Sequence, residues 1–185
     1  LALQRSGRMA DALAMFDRAL AILPGDPQNL VNRANALHLL GRFEEALADY
    51  GKALAIVPDA PGALLYRGHA LSAAGRFEEA LADYDRALAV KPDFAAALCG
   101  RGNMLRALGR PEEAMACYER ALQLQPGDPD ALGCRCEALL EVWRFEEVLA
   151  SFNQAIAAQS GYAEAFHGSS IAVEKPRTMT SSYQA

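Results

Sequence analysis

The sequence predicts an all-α protein built as a linear stack of 34-residue helix-turn-helix repeats, and three observations carry that prediction. Gly41-Arg42-Phe43-Glu44-Glu45-Ala46-Leu47 returns 34 residues on as Gly75-Arg76-Phe77-Glu78-Glu79-Ala80-Leu81. It returns again as Gly109-Arg110-Pro111-Glu112-Glu113-Ala114-Met115, and in altered form as Trp143-Arg144-Phe145-Glu146-Glu147-Val148-Leu149. A proline keeps the same beat at Pro24, Pro58, Pro92 and Pro126, with Ser160 where the next is due. Within one unit, apolar and small residues recur at helical spacing: Leu30, Ala34, Leu37 and Leu40, then Phe43, Ala46, Leu47, Tyr50, Ala53 and Leu54.

Each part of a unit has a local reason. Asp26-Pro27 and Asp128-Pro129 read as an N-cap followed by proline at the first helical position. Gly41 falls just after the first helix, where the chain commonly turns through a left-handed residue that glycine adopts without strain. Glu44 and Glu45 occupy the first turn of the second helix, where backbone amides favour negative charge. That helix ends at Val57-Pro58, because proline cannot continue the hydrogen-bond ladder.

These markers resemble the tetratricopeptide repeat. The small residue of its first helix corresponds to Ala34, Gly68 and Gly102, and that of its second helix to Ala46, Ala80 and Ala114. An aromatic follows at Tyr50, Tyr84 and Tyr118, then Ala53, Ala87 and Ala121. The family's tryptophan, leucine and tyrosine positions are replaced by leucines at 30, 64, 98 and 132, arginines at 33, 67, 101 and 135, and leucines at 37, 71, 105 and 139. The resemblance implies a right-handed superhelical α-solenoid. In its register a partial first repeat spans 1–26, with a turn at Gly7 between the end of a first helix and a complete second helix. Full repeats span 27–60, 61–94 and 95–128, a degenerate repeat 129–162, and a terminal capping helix 163–175. The polar segment 176–185 is expected to be disordered. In the degenerate unit Trp143 replaces the turn glycine, and the turn is expected to take another shape because a bulky residue at positive φ is strained. Trp143 marks either a contact with a partner or drift in a terminal repeat, the reading favoured by its position.

Composition narrows the function. With 18 basic and 23 acidic residues and a net charge of -5, there is no basic stripe to neutralise phosphates, so neither nucleic acid nor membrane is an expected partner. No apolar run suggests a spanning helix and no signal-peptide pattern opens the chain, so a cytoplasmic location is the expectation. Cys99, Cys117, Cys134 and Cys136 form no CxxC pair and are read as reduced small apolar residues. No catalytic residues, metal site or cofactor are expected. His38, His69 and His167 accompany no nucleophile motif, and the repeated Glu pairs sit at helix starts as solvated, stabilising charges.

Binding is the supported alternative. By the resemblance, first helices line a concave groove, with contact positions at Gln28, Asn32, Asn35 and His38, at Leu65, Tyr66 and His69, at Cys99, Asn103 and Arg106, and at Glu137 and Glu141. Unlike the packing positions, these differ from unit to unit. A lysine-and-asparagine clamp for acidic peptides is not matched, since Val31, Tyr66, Ala96 and Gly100 occupy its positions. Leu65 and Tyr66 beside Cys99, Gly100, Gly133 and Cys134 imply a shallow, mainly uncharged pocket with an aromatic edge. Asn35, His69 and Asn103 would border it, and Arg106, Glu137 and Glu141 would give mixed charge at the rim. The periodic arginines at 33, 67, 101 and 135 are read as bridges to acids of the following helix. The function expected is a protein-interaction scaffold holding a peptide or helix of a partner. A repeat arm of a larger enzyme, such as a protein O-glycosyltransferase, and self-association through the repeat ends stand as alternatives.

Overall fold

The computed structural model describes the backbone of residues 2–158 and the side chains of residues 9–153. The expectations for Ser160, for the capping helix at 163–175, for His167 and for the tail at 176–185 lie outside the described residues. Nine helices follow one another among the described residues: α1 Ala2–Ile22, α2 Pro27–Leu39, α3 Phe43–Ile56, α4 Pro61–Ala73, α5 Phe77–Val90, α6 Ala95–Ala107, α7 Pro111–Leu124, α8 Pro129–Glu141 and α9 Phe145–Ala158. No strand occurs among them.

Their ends have the causes read from the sequence. The Asp26 carboxylate accepts hydrogen bonds from the backbone amides of Gln28 and Asn29, and Asp128 accepts from that of Asp130. Gly41, Gly75 and Gly109 sit at φ of 75°, 76° and 74°. The following amide then turns back, with Arg42 N donating to Leu37 O, Arg76 N to Leu71 O and Arg110 N to Leu105 O, each at 2.9 Å. Trp143 departs from expectation by keeping this turn: its φ is 61°, and Arg144 N donates to Leu139 O at 3.0 Å. The packing of α8 on α9 dictates the chain path, and the residue accepts the left-handed strain, which is on the order of 1 kcal/mol.

A second departure lies at the N-terminus, where α1 runs unbroken through Gly7 instead of turning there. Gly7 lies inside a continuous helix, and continuing a helix adds a hydrogen bond per residue whereas starting a separate one carries a nucleation cost.

The core is assembled from small residues against aromatic rings. Ala46, Ala80 and Ala114 are fully buried, as are Tyr50, Tyr84 and Tyr118. A Cβ at Gly68 would lie 2.7 Å from Tyr84 Cε1, and one at Gly102 would lie 2.5 Å from Tyr118 Cε1. The small residue of the first helix is therefore required by the tyrosine ring of the second, and not only by the closeness of the helix axes.

A polar column runs beside this core. Arg33 grips Asp49 with Nε and Nη2 at 2.6 and 2.8 Å and also reaches Asp17 at 2.8 Å. Arg67 grips Asp83 in the same two-pronged way. Both aspartates are about 2% exposed, so their carboxylates are desolvated while the arginines stay partly exposed, and each arginine bridges to the following helix as expected. The column then decays. Arg101 bonds Cys117 Sγ at 3.0 Å and turns to Asp85 on the preceding helix, while Ser151 takes the fourth acid's place and donates to its own helix at Glu147 O.

Candidate functional site

Successive first helices touch one another, α2 with α4, α4 with α6 and α6 with α8, whereas no pair among α3, α5, α7 and α9 is in contact. A stack whose first helices are closer together than its second helices must curve toward them. The first helices thus form the concave face.

A recess of about 760 Å³ opens on this face across α4, α6 and α8. His38, His69, Cys99, Asn103 and Glu137 line it, as do Ser72, Gly133 and Cys134. Gly133 would leave an added Cβ in open space, so its missing side chain widens the recess. Gly100 has a different role, because a Cβ there would come within 2.6 Å of Tyr84 Cζ. Cys134 and Cys136, two residues apart, divide as helical geometry requires: the first faces the recess and the second joins the core.

The remaining expected contact residues are distributed unevenly. Gln28 is exposed and donates to Asn32 Oδ1 at 3.0 Å. Asn35 and Asn103 are each tied by their side-chain oxygen, which accepts the Tyr50 and Tyr118 hydroxyls respectively. Tyr66 is 43% exposed and meets the half-buried His69 edge to face at 6.2 Å, and His69 in turn lies 5.8 Å from the Tyr84 ring. Arg106 pairs with Glu137 at 2.7 Å and Glu141 at 3.0 Å, so the rim acids and the arginine neutralise one another in part. Leu65 does not face the groove: it is 6% exposed and belongs to a cluster with Leu54, Leu64 and Ala97. Because the first helices touch, a long side chain at its position falls into the seam between them.

The recess is also less neutral than expected. Asp128, Asp130 and Glu137 line it, and all its formally charged groups are acidic. Burial lowers the pKa of His38 and of His69, which favours neutral imidazoles. Burial pushes the Cys99 thiol up to about 12 and raises Cys134 as well, so neither is a ready nucleophile. No group of three or more metal-ligating side chains is placed to hold an ion among the described residues, and the four cysteines are free. No described helix is long and apolar enough to cross a membrane. A second recess, of about 310 Å³, surrounds Arg33, Asp49, Arg42 and Glu45, whose charges are already paired.

Sequence reasoning missed Tyr84, which lines the recess although it was assigned to packing alone. The available signal was the column Asn35, His69, Asn103, in which the middle unit lacks the asparagine that holds the tyrosine hydroxyl in its neighbours.

Three family models match the chain. Two described as tetratricopeptide repeat cover residues 3–48 and 65–129, and one described as TPR repeat covers 34–75. They overlap into one unbroken stretch. The chain belongs to the tetratricopeptide repeat family. Its fold is the right-handed α-solenoid of that family. Solved tetratricopeptide structures superpose over most of its length. A thermophilic TPR protein of Thermus thermophilus, TTC0263, is 27% identical with a TM-score of 0.75, covering 92% of this chain and 93% of its own. YrrB, described as a TPR protein with an unusual peptide-binding site, is 25% identical with a TM-score of 0.69, covering 85% and 81%. MamA is 19% identical with a TM-score of 0.76, covering 85% and 92%, and shows the fold alone. No curated protein sequence matches the chain.

Proposed function

We propose that this tetratricopeptide array is a non-catalytic interaction module that holds an extended or helical segment of a partner protein on the concave face of α2, α4, α6 and α8. One observation carries the reading: apart from Tyr84, the recess on that face is lined chiefly by positions that change from unit to unit, while the buried tyrosines and alanines repeat. Uniform positions serve packing, which is the same problem in every unit. Varied positions on a preformed concavity suit recognition of one particular segment. The peptide-binding site named for YrrB is consistent with this use of the scaffold.

The test compares Tyr66→Ala, at the exposed aromatic edge, with Asp85→Ala, on α5 of the outer layer. Truncating an aromatic anchor commonly costs about 2 kcal/mol or more of binding. Titration of the native partner recovered by pull-down should show that loss for Tyr66→Ala, at an unchanged melting temperature, and little effect for Asp85→Ala. The opposite pattern would move the site to the outer face. Asn103→Ala is not a clean probe, because it removes the acceptor of the Tyr118 hydroxyl and should lower stability as well.

A further inference from the structure

Three tyrosines occupy equivalent, fully buried positions, and one of them differs in its polar end. The Tyr50 hydroxyl donates to Asn35 and the Tyr118 hydroxyl to Asn103. At the equivalent position Tyr84 faces His69, which meets its ring at a tilt and accepts no hydrogen bond from it. The Tyr84 side chain is 1% exposed, lines the recess, and its hydroxyl has no hydrogen-bond partner among the described residues. Gly68 and Gly100 flank the ring so closely that any side chain at either position would collide with it. The ring is thereby fixed with its hydroxyl end at the recess.

The Tyr84 hydroxyl is open to the recess and committed to no acceptor among the described residues, so it is available to donate to a ligand acceptor in a site largely closed from water, where a hydrogen bond is worth more than in bulk solvent. His38 lines the same recess, and its Nδ1 is buried without a hydrogen-bond partner among the described residues. The charge of the surroundings selects among acceptors. Asp128, Asp130 and Glu137 line the recess without a lysine or arginine among the lining groups, and Arg106, which neutralises Glu137, is shared with Glu141. A carboxylate would be repelled there. A peptide carbonyl would not, and a cationic side chain next to it would be attracted.

We propose that the recess takes a basic segment of the partner protein, with a backbone carbonyl accepting the Tyr84 hydroxyl and a neighbouring lysine or arginine directed to Asp130 and Glu137. This rests on the concave-face reading above and narrows its partner class.

Three fluorescein-labelled peptides of about ten residues test it, a length that when extended passes three helix axes. They consist of alanine, serine and glycine with a central pair of lysines, glutamines or glutamates. Fluorescence anisotropy should give the order lysine, glutamine, glutamate, with about a ten-fold span between the extremes that shrinks as salt is raised. Tyr84→Phe should weaken the lysine peptide about five- to ten-fold, as one unmade buried hydrogen bond implies. It should not lower the melting temperature, since it removes no internal bond. Tyr50→Phe is the converse control and should lower the melting temperature while leaving affinity within about two-fold. Glu137→Gln should narrow the span between lysine and glutamate peptides.

Tyr84-dependent binding that favours the glutamine or glutamate peptide would overturn the basic partner class and leave the concave-face reading standing. Lysine-peptide binding indifferent to Tyr84→Phe would overturn the proposal as non-specific charge attraction. If no peptide binds while Tyr66→Ala still cripples the native partner, the proposal fails and the concave face survives; if Tyr66→Ala is also without effect, both fail.

Discussion

Adding one methyl group at three glycines should produce three different outcomes, because the structure gives each glycine a different reason to be there. Gly51 lies inside α3 with nothing within 4 Å of an added Cβ and no positive φ. Gly51→Ala should therefore stabilise by about 0.5–1 kcal/mol, the ordinary helix-propensity gain. Gly75 also has open space around it, but its φ of +76° is unfavourable for any residue with a Cβ. Left-handed backbone costs about 1–2 kcal/mol, offset in part by the lower entropy of the unfolded alanine chain, so Gly75→Ala should destabilise by about 1 kcal/mol. Gly102 has helical backbone, yet its Cβ would stand 2.5 Å from the ring of Tyr118, which is fully buried and tethered to Asn103. A contact that short puts the overpacking cost at about 2–3 kcal/mol against a propensity gain of about 1 kcal/mol, leaving a net loss of about 1–2 kcal/mol. Urea unfolding followed by far-UV circular dichroism measures all three, with the denaturant slope watched because repeat arrays can lose two-state behaviour. A Gly75→Ala variant as stable as Gly51→Ala would refute the proposed turn, and a neutral Gly102→Ala would refute the ring contact as the reason for that glycine.

Other outcomes follow from the polar column and the degenerate unit. Arg67→Ala should cost about 3–5 kcal/mol by stranding the desolvated Asp83 carboxylate, less whatever water reaches the site through the vacated arginine volume; urea midpoints equal to wild type would contradict the pair. Burial alone would push the Asp49 pKa up, but hydrogen bonds from Arg33 and Lys52 outweigh it and hold the carboxyl below its usual range. A depressed folded pKa contributes stability that is complete above the unfolded value of about 3.9 and is lost as pH falls through the folded value. Thermal melts on acidification should show that loss in the wild type and a smaller one in Asp49→Asn. Amide exchange should be faster in α8 and α9 than in α4 to α7, since the arginine-acid column ends before them and their turn carries the strain of Trp143; slowest exchange around Trp143 would oppose this.

The helices were legible because helical spacing is joined by local end signals: aspartate caps before α2 and α8, a left-handed glycine after α2, α4 and α6, and a proline shortly after α3, α5 and α7. Gly41 and Asp26 act through their own backbone or their immediate neighbours, so their roles can be read from a few letters. The misreadings share a different cause. Whether α1 turns at Gly7 depends on what packs against the preceding residues, and the path at Trp143 depends on the contact of α8 with α9. Leu65 was assigned to the groove from one helix's geometry, yet its burial is decided by two helices beside it. The concave face and several residues that line its recess were legible. Tyr84 was obscured because its column is a packing column in every unit, and only the exchange of asparagine for His69 separates it from Tyr50 and Tyr118. The acidity of the recess was not legible because Asp128 is the N-cap of α8 and not a mid-helix groove position, and because Arg106, expected to balance the rim acids, pairs with Glu137 and Glu141 without lining the recess.

The central claim is that the partner lies on the concave face, and site-specific photo-crosslinking addresses it without requiring that either position contribute binding energy. A benzophenone side chain would replace Tyr66 on α4 in one variant and Asp85 on α5 in another, each irradiated with the native partner. Concave binding predicts a covalent adduct from position 66, abolished by excess unlabelled wild type, and none from position 85. An adduct from position 85 with none from position 66 would contradict it.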